Sequence, residues 1–170
     1  IGVSKGMKKK ICMLGSFAVG KTSLVQQYVH SIFSDKYHTT VGVKIEKSST
    51  EVNGQDVDLI IWDLHGEDDF QHVRISYLQG SSGLFYVADG TRKNTLATAL
   101  NLQQIAENTI GKVPFILLIN KSDLKDRWEI DDSLIDAVKA QGGMVMFTSA
   151  KTGDCVEEAF RNLTEKMLGG

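Results

Sequence analysis

The chain has 170 residues, of which 42% are hydrophobic and 24% are charged, enough apolar material for the core of one globular domain and too little for two. A net charge of −2 argues against a general nucleic-acid-binding protein, because such proteins are usually basic. The two cysteines make no disulfide framework, so we expect a reducing, cytoplasmic environment.

The N-terminal residues come before any regular pattern. We interpret residues 1–7 as an N-terminal extension or an expression remnant, and residues 8–168 as a single domain. The run Lys8-Lys9-Lys10 has few charges for a membrane-binding patch and predicts a solvated start to the first strand. No apolar stretch reaches the roughly 20 residues that a membrane span needs. We therefore expect membrane contact only through a tail outside this sequence, at most as a peripheral protein.

Apolar runs of strand length recur along the chain, separated by segments of helical period. Because most of them are almost continuously apolar, they predict a parallel sheet that helices cover on both faces. The predicted strands are Ile11–Leu14, Val41–Val52, Val57–Trp62, Leu84–Ala88, Phe115–Ile119 and Val145–Phe147. The second strand alternates apolar and charged residues and ends at Asn53-Gly54, so it should form an antiparallel hairpin with the third.

Three of the intervening segments carry apolar residues at helical spacing, and a fourth has helix-end signals. The apolar faces are Leu24, Val25, Tyr28, Val29 and Ile32; Leu96, Ala99, Leu102, Ala106 and Ile110; and Val156, Ala159, Phe160, Leu163 and Met167. Asp131 or Asp132 can cap a further short helix that Gly142-Gly143 ends. Strands that alternate with helices predict an α/β fold in three layers.

The stretch GSFAVGKT follows the first strand and opens the first helix. It has the G-x-x-x-x-G-K-[ST] pattern in the strand–loop–helix setting that a phosphate loop requires. Backbone N–H groups and the positive helix end can wrap the β-phosphate, Lys21 can neutralise β- and γ-oxygens, and the Thr22 hydroxyl can bind Mg²⁺. The candidate nucleotide-binding residues here are Ser16, Phe17, Ala18, Val19, Gly20, Lys21, Thr22 and Ser23. The pattern predicts a nucleoside triphosphate without naming its base.

Asp63 ends the third predicted strand, and Gly66 follows three residues later. A carboxylate at that strand end can hold the water shell of Mg²⁺. The alternative for Asp63 is a cap of the next turn. Gly66 would allow a backbone N–H to approach a γ-phosphate, because it has no side chain.

The tetrapeptide NKSD, residues 120–123, sits at the end of the fifth strand, where open α/β sheets bind ligands. The Asp123 carboxylate can accept from both N1–H and the 2-amino group of guanine, a donor pair that adenine does not offer. Asn120 can tie this loop to the phosphate loop, and the Lys121 stem can lie over the base. A backbone N–H of the later Ser149–Lys151 segment can meet guanine O6. We predict nucleotide binding by Asn120, Lys121, Asp123, Leu124, Ser149, Ala150 and Lys151.

With these motifs in this order, the chain resembles the Ras superfamily of small GTPases from Lys8 to Leu168. The segments Ile61–Asp63, Ser76–Thr91 and Val156–Phe160 resemble the Rab branch. The resemblance implies the family fold, with six strands, the second of them antiparallel, and five helices. It also implies GTP and GDP as ligands, Mg²⁺ as cofactor, a monomer, and protein effectors and an exchange factor as partners.

Two switch segments are implied by the same resemblance. The first would place Phe33 on the guanine edge and Tyr37 near the phosphates, while Thr40 would complete the Mg²⁺ shell and sense the γ-phosphate. Phe33 as ordinary core packing is the alternative. The second switch would run from Asp63 to about Tyr77. We expect signalling through these two segments, in trafficking or a related process.

The chain departs from the family pattern around the γ-phosphate. Glu67 stands where the family usually has the glutamine that orients the attacking water, and a carboxylate cannot donate to a phosphate oxygen. Phe17 occupies a position where the family has a small residue, and its ring would fill the space that an arginine finger needs. His65 is best interpreted as a surface residue rather than a substitute base. We predict slow GTP hydrolysis, with Lys21 and the altered position Glu67 as the catalytic residues.

Two other functions remain open at this point. A pseudo-GTPase would be a binding module held in one nucleotide state, but the complete phosphate and base motifs argue against a version that binds no nucleotide. A P-loop nucleoside or shikimate-type kinase would need an arginine-rich lid. The chain has only four arginines, which are scattered (Arg74, Arg92, Arg127 and Arg161).

Overall fold

The computed structural model of the protein describes residues 7–31, 42–65, 75–130 and 132–169. Its strands are β1 (Met7–Gly15), β2 (Gly42–Val52), β3 (Gln55–His65), β4 (Gly83–Asp89), β5 (Phe115–Asn120) and β6 (Met144–Thr148). They form one six-stranded sheet in the order β2-β3-β1-β4-β5-β6. Within this sheet the β2–β3 pair is antiparallel, and the other four neighbouring pairs are parallel. The predicted α/β fold, with its antiparallel hairpin, is confirmed.

Helices connect the parallel strands, as βαβ units require. Within the described ranges they are α1 (Lys21–His30), α2 (Ile75–Leu78), α3 (Lys93–Ile110), α4 (Asp132–Ala140) and α5 (Val156–Met167), with a short 3₁₀ segment at Ser122–Arg127. The first helix ends at His30, and Ile32, which the sequence assigned to its apolar face, lies outside the described residues. None of the helices described is both long and apolar enough to cross a membrane.

The two faces of the sheet carry separate cores because successive side chains of a strand point to opposite faces. In β1, Ile11 and Met13 join a core under α1 and α5, whereas Cys12 and Leu14 join a second core under α3 and α4. All four side chains are at most 2% exposed. The strand sequences are therefore continuously apolar because both faces of the sheet are buried. Cys12 is one of these buried core residues.

Turn and helix-end signals in the sequence correspond to observed backbone conformations. Asn53 and Gly54 have φ angles of 52° and 78°, the left-handed pair that a two-residue type I′ hairpin turn requires. Helix α4 starts at Asp132 and ends before Gly142, whose φ is 83°. Gly142 and Gly143 donate their N–H groups back to Lys139 and Val138, which satisfies carbonyls at the helix end.

Phe160 should contribute strongly to stability. Its ring is fully buried, stacks on Tyr28 with centroids 3.9 Å apart, and meets Phe85 edge-on at 4.8 Å. We expect Phe160→Ala to lower the free energy of unfolding by about 3–5 kcal/mol, because it removes these contacts and leaves a cavity. Urea denaturation followed by circular dichroism measures this. Phe147→Ala, at a ring that is 37% exposed, is the matched control and should cost about 1 kcal/mol or less. Equal losses in the two variants would contradict this account of the core.

Candidate nucleotide site

The candidate site residues lie where parallel strands end along one edge of the sheet. In the register of the sheet, Gly15 of β1 is opposite Val87 of β4, Asp89 is opposite Asn120 of β5, and Asn120 is opposite Thr148 of β6. The phosphate loop, the base-reading loop and the last loop therefore begin from neighbouring positions. Open α/β sheets bind ligands at this edge, outside the carboxyl ends of their strands.

The phosphate loop needs both glycines of its motif. A Cβ on Gly15 would collide with the Val87 carbonyl, and a Cβ on Gly20 would collide with the Asn120 amide. Gly20 also has a φ of 103°, in the left-handed region, immediately before α1 begins at Lys21. These constraints place the N-terminal end of α1, which carries partial positive charge, directly after the loop.

Lys21 is an almost buried cation inside the loop. The residue is only 6% exposed, and its Nζ donates to the carbonyls of Gly15 at 2.9 Å and Ser16 at 3.0 Å. A buried ammonium group is costly unless it has partners. A phosphate placed in the loop would meet a positive charge that the protein already holds in position.

The two described candidates for Mg²⁺ binding are in contact. The Thr22 hydroxyl donates to Oδ2 of Asp63 at 2.7 Å, and Asp63 is 1% exposed. A hydroxyl and a carboxylate are hard oxygen ligands of the kind that Mg²⁺ prefers, and Mg²⁺ usually keeps several waters instead of a full protein cage. The donor set fits Mg²⁺ held partly through water.

Asn120 connects three segments of the site through one side chain. Its Nδ2 donates to the Val19 carbonyl in the phosphate loop at 3.0 Å, which is the tie expected from the sequence. Its Oδ1 accepts from the Thr148 hydroxyl and from the Ala150 N–H, both at 3.2 Å. The residue is 2% exposed, so these bonds are shielded from water. The amide therefore fixes the distance between the phosphate loop and the base-reading segments.

The base-reading side chains are held in place on both sides of the strand end. Asp123 Oδ1 accepts from the Ser149 hydroxyl at 2.8 Å, which fixes the orientation of the carboxylate. Lys121 adopts the left-handed conformation with φ 73°, and its carbonyl accepts both the Trp128 indole N–H at 2.8 Å and the Leu124 N–H at 2.9 Å. The loop that would read guanine is thus braced by its own 3₁₀ segment and by the last loop, where Lys151 also lies.

Five predicted site residues fall outside the described part of the chain. They are Phe33, Tyr37 and Thr40 of the first switch, and Gly66 and Glu67 of the second. Their assigned roles stay predictions. The described ranges do contain the phosphate loop from Ser16 to Ser23, the base loop, and the last loop from Ser149 to Lys151.

Sequence reasoning missed Asp89, which lies at the centre of the site. Asp89 ends β4 at the ligand-binding edge, and its side chain is 1% exposed. It accepts from Lys121 Nζ at 2.7 Å, Arg92 Nε at 3.1 Å, and the hydroxyl and N–H of Thr91 at 2.7 and 2.8 Å. A carboxylate at the end of a buried strand was the signal used for Asp63, and the same signal identifies Asp89.

The charge of Asp89 is maintained despite its burial. Burial by itself raises the pKa of a carboxyl group, but hydrogen bonds from Lys121 and Thr91, together with the Lys121 charge, outweigh it and hold the pKa of Asp89 below its usual range. Asp89 is therefore an anion that orients two cations, one from the base loop and one from the start of α3.

Sequence reasoning also missed Gly90 and Trp128, which pack against each other. Gly90 donates to the Asn120 carbonyl at 3.1 Å and accepts from the Glu129 N–H at 2.8 Å, so it packs against the base loop. A Cβ at this position would collide with the Trp128 ring. No sequence pattern indicates that the glycine after β4 and the distant Trp128 are in contact.

These loops on this sheet define a class of protein, a P-loop protein with an α/β sheet whose phosphate loop and NKSD loop open on the same edge. Comparison with known proteins narrows the class. The family model described as "Ras: Ras family" matches residues 10–169. The chain belongs to the Ras family.

Individual relatives place the chain near the Rab branch. The Ras-related protein Rab-13 of Bos taurus is 29% identical over 161 residues, which covers 94% of this chain and 79% of that protein. The Rab-13 proteins of Mesocricetus auratus and Canis lupus familiaris show the same identity and coverage. The predicted membership in the Ras superfamily, with a Rab-like sequence, is confirmed.

Guanine selectivity should depend on Asp123. Its carboxylate can pair with two guanine donors, and Asp123→Ala would leave both without their acceptor, at about 1–3 kcal/mol each. Isothermal titration should show tight binding of GDP and none of ADP for the native chain, and GDP binding weaker by at least about 10-fold for the variant. Asp126→Ala, which removes an exposed carboxylate from the same 3₁₀ segment, is the control. Equal affinity of the native chain for ADP and GDP would contradict the guanine assignment.

Proposed function

We propose that this protein is a nucleotide-controlled switch that binds GTP and GDP with Mg²⁺ and hydrolyses GTP slowly. Ras and Rab proteins are GTPases, so the general reaction follows from family membership. The observation that carries the proposal is the Asn120 amide, which joins the phosphate loop to the base-reading segments in one hydrogen-bonded unit. Such a unit favours a ligand that carries phosphates at one end and a base at the other, as a nucleotide does.

Different described residues would bind the phosphates, the base and the Mg²⁺ of the nucleotide. Loop N–H groups and the start of α1 would face the phosphates, and Lys21, which donates to the Gly15 and Ser16 carbonyls, has a third N–H that would donate to a phosphate oxygen. Asp123, oriented by Ser149, would accept from the guanine edge. Thr22 and Asp63 would hold Mg²⁺, which supplies positive charge to the β- and γ-phosphates when it is bound.

Slow hydrolysis is proposed from the residue types at positions 67 and 17. A glutamate at position 67 cannot donate to a γ-phosphate oxygen and adds negative charge next to an anionic transition state. Phe17 is a large ring in the phosphate loop, 38% exposed, and it would fill the space that a trans arginine needs. A pseudo-GTPase that keeps nucleotide without turnover is the limiting case of the same substitutions.

Partner recruitment is proposed through the two switch segments, the first containing Phe33, Tyr37 and Thr40 and the second running from Asp63 to about Tyr77. The β2–β3 hairpin joins them, and its exposed face carries Ile45, which is 48% exposed and opposite Trp62. Trp62 in turn contacts Tyr77 with ring centroids 5.8 Å apart. An exposed apolar surface on this hairpin suits protein effectors and an exchange factor. We propose a cytoplasmic monomer with a role in trafficking and no nucleic-acid partner.

The nucleotide that copurifies with the protein tests the proposal directly. Chromatography of the supernatant after heat denaturation should show about one equivalent of guanine nucleotide per chain. A single-turnover assay with radiolabelled GTP then measures hydrolysis. GDP or GTP with measurable turnover supports the switch, GTP without turnover supports the pseudo-GTPase, and adenine nucleotide contradicts both.

Mg²⁺ should control nucleotide retention. Excess EDTA should speed GDP release at least about 10-fold, because the phosphate charges lose a counter-ion whose contacts are worth on the order of 1.5–3 kcal/mol each. Displacement of a fluorescent GDP analogue measures the rate. Thr22→Ser keeps the hydroxyl and should keep the EDTA response, whereas Thr22→Val removes it and should reduce that response. A release rate indifferent to EDTA would count against Mg²⁺ at Thr22 and Asp63.

Glu67 and Phe17 should limit hydrolysis in different ways. We expect the native chain to hold GTP with a lifetime on the order of hours or longer, and an activator that works through an arginine finger, normally worth roughly 10³–10⁵-fold, to have little effect. Glu67→Gln should raise the single-turnover rate, since an amide can contact both water and phosphate. Phe17→Gly should matter mainly with an activator present, because it only opens space.

The double variant gives the sharper outcome. Glu67→Gln combined with Phe17→Gly should exceed either single variant in the assisted reaction, because parts of one catalytic site are seldom additive. Glu67→Asp, which keeps the charge, is the matched control and should stay slow. Fast hydrolysis by the native chain that Glu67→Gln makes slower would instead show that Glu67 is a working catalytic residue.

A further inference from the structure

Arg92 lies between the two nucleotide-binding loops and was not expected there from its sequence. It immediately precedes α3, and its side chain is 39% exposed. Its Nε donates to Asp89 Oδ2 at 3.1 Å, while Nη2 donates to the Phe17 carbonyl in the phosphate loop at 2.6 Å. One guanidinium therefore joins the buried anion of the site to the loop that would hold the phosphates.

The backbone that presents Arg92 is itself fixed. Its carbonyl accepts from the Thr95 hydroxyl at 2.7 Å and from the Thr95 N–H at 3.0 Å, and its own N–H donates to the Asp89 carbonyl at 3.0 Å. The Thr95 hydroxyl also accepts from the Asp89 N–H at 2.8 Å, and Thr95 is fully buried. The guanidinium is held at its base as well as at both of its contacts, so little side-chain freedom remains to oppose the bond to Phe17.

The contact with Phe17 determines the orientation of one peptide group. In a trans peptide the C=O and N–H bonds point in opposite directions. The Phe17 carbonyl points towards Arg92, so the N–H of the same peptide, which belongs to Ala18, points away from it. Ala18 has a φ of 60°, a conformation that costs a non-glycine residue energy and needs support from its surroundings.

Other carbonyls of the phosphate loop are held in a similar way. Lys21 binds those of Gly15 and Ser16, and Asn120 binds that of Val19. Arg92 does the same for the carbonyl of Phe17, which lies between them in the loop. A loop whose carbonyls are drawn aside presents its N–H groups to an anion.

We propose that Arg92 is a positioning residue for the phosphates of the bound nucleotide: anchored on Asp89, it holds the Phe17–Ala18 peptide so that the Ala18 N–H faces the phosphate chain. This inference rests on the proposed function, because it assumes a guanine nucleotide in the site. It adds a residue from the β4–α3 turn to the groups that set nucleotide retention.

The test compares nucleotide release from the native chain and from Arg92→Ala. We expect the variant to release GDP about 3- to 30-fold faster, the range for a charge-assisted hydrogen bond discounted for partial exposure. Arg92→Lys can contact Asp89 or the Phe17 carbonyl but not both, and should give an intermediate rate. Arg161→Ala removes an arginine from the exposed face of α5 and should match the native rate.

Two further readouts separate positioning from a general structural effect. Inosine diphosphate lacks the 2-amino group of guanine, so the ratio of GDP to IDP release rates reports on the base loop. That ratio should be unchanged in Arg92→Ala, because both nucleotides carry the same phosphates. The ³¹P resonance of the β-phosphate of bound GDP should shift in Arg92→Ala and stay in place in Arg161→Ala, since it senses the N–H groups around it.

Three results would overturn the inference. The first is an unchanged GDP release rate in Arg92→Ala. The second is faster release with an unchanged β-phosphate resonance. The third is a changed GDP-to-IDP ratio, which would assign Arg92 to the base loop. If Arg92→Ala does not fold, Arg92→Lys supplies the same three readouts. Failure of the native chain to bind GDP at all would instead contradict the proposed function, so the two failures are distinguishable.

Discussion

The nucleotide site depends on one constraint, the buried amide of Asn120. It occupies the end of β5 and contacts the phosphate loop through Val19 and the last loop through Thr148 and Ala150. Because the amide fits against Gly20, any side chain at that glycine would force the two loops apart. The spacing between the phosphate end and the base end of the site is therefore set by the sheet and by this amide, rather than by the ligand.

A second, ionic tie is arranged around the first. Asp89 forms ion pairs with Lys121 from the base loop and with Arg92 from the start of α3. Arg92 also donates a hydrogen bond to the Phe17 carbonyl in the phosphate loop. Burying a carboxylate is unfavourable unless charged and hydrogen-bonding partners surround it, and removal of one partner leaves the others poorly compensated. These ion pairs therefore fix the positions of the Lys121 and Arg92 side chains more than they add to the net stability of the fold.

The sequence predicted the fold and the two nucleotide motifs because both are local patterns. Continuous apolar runs predict strands buried on two faces, and the motif glycines are needed where a loop backbone comes close to Val87 and Asn120. The contacts of Arg92 and of Trp128 were not predictable in this way. Each joins residues far apart in the chain, Arg92 to Phe17 and Trp128 to Gly90, and only the packed sheet brings them together. Asp89 was predictable, since it ends a buried strand as Asp63 does.

Position 17 shows why binding and hydrolysis can change separately in this chain. Phe17 serves the phosphate loop with its backbone carbonyl, which any residue type supplies, while its ring is 38% exposed and would restrict what can approach the loop. The same division would hold along the site, because backbone N–H groups and Lys21 are proposed to meet the phosphates, and Asp123, oriented by Ser149, to meet the base. Hydrolysis requires in addition an oriented water and access for an activator. A chain can therefore keep every binding contact and still carry a glutamate at position 67 and a ring at position 17, and the expected result is a long-lived GTP state with undiminished guanine recognition.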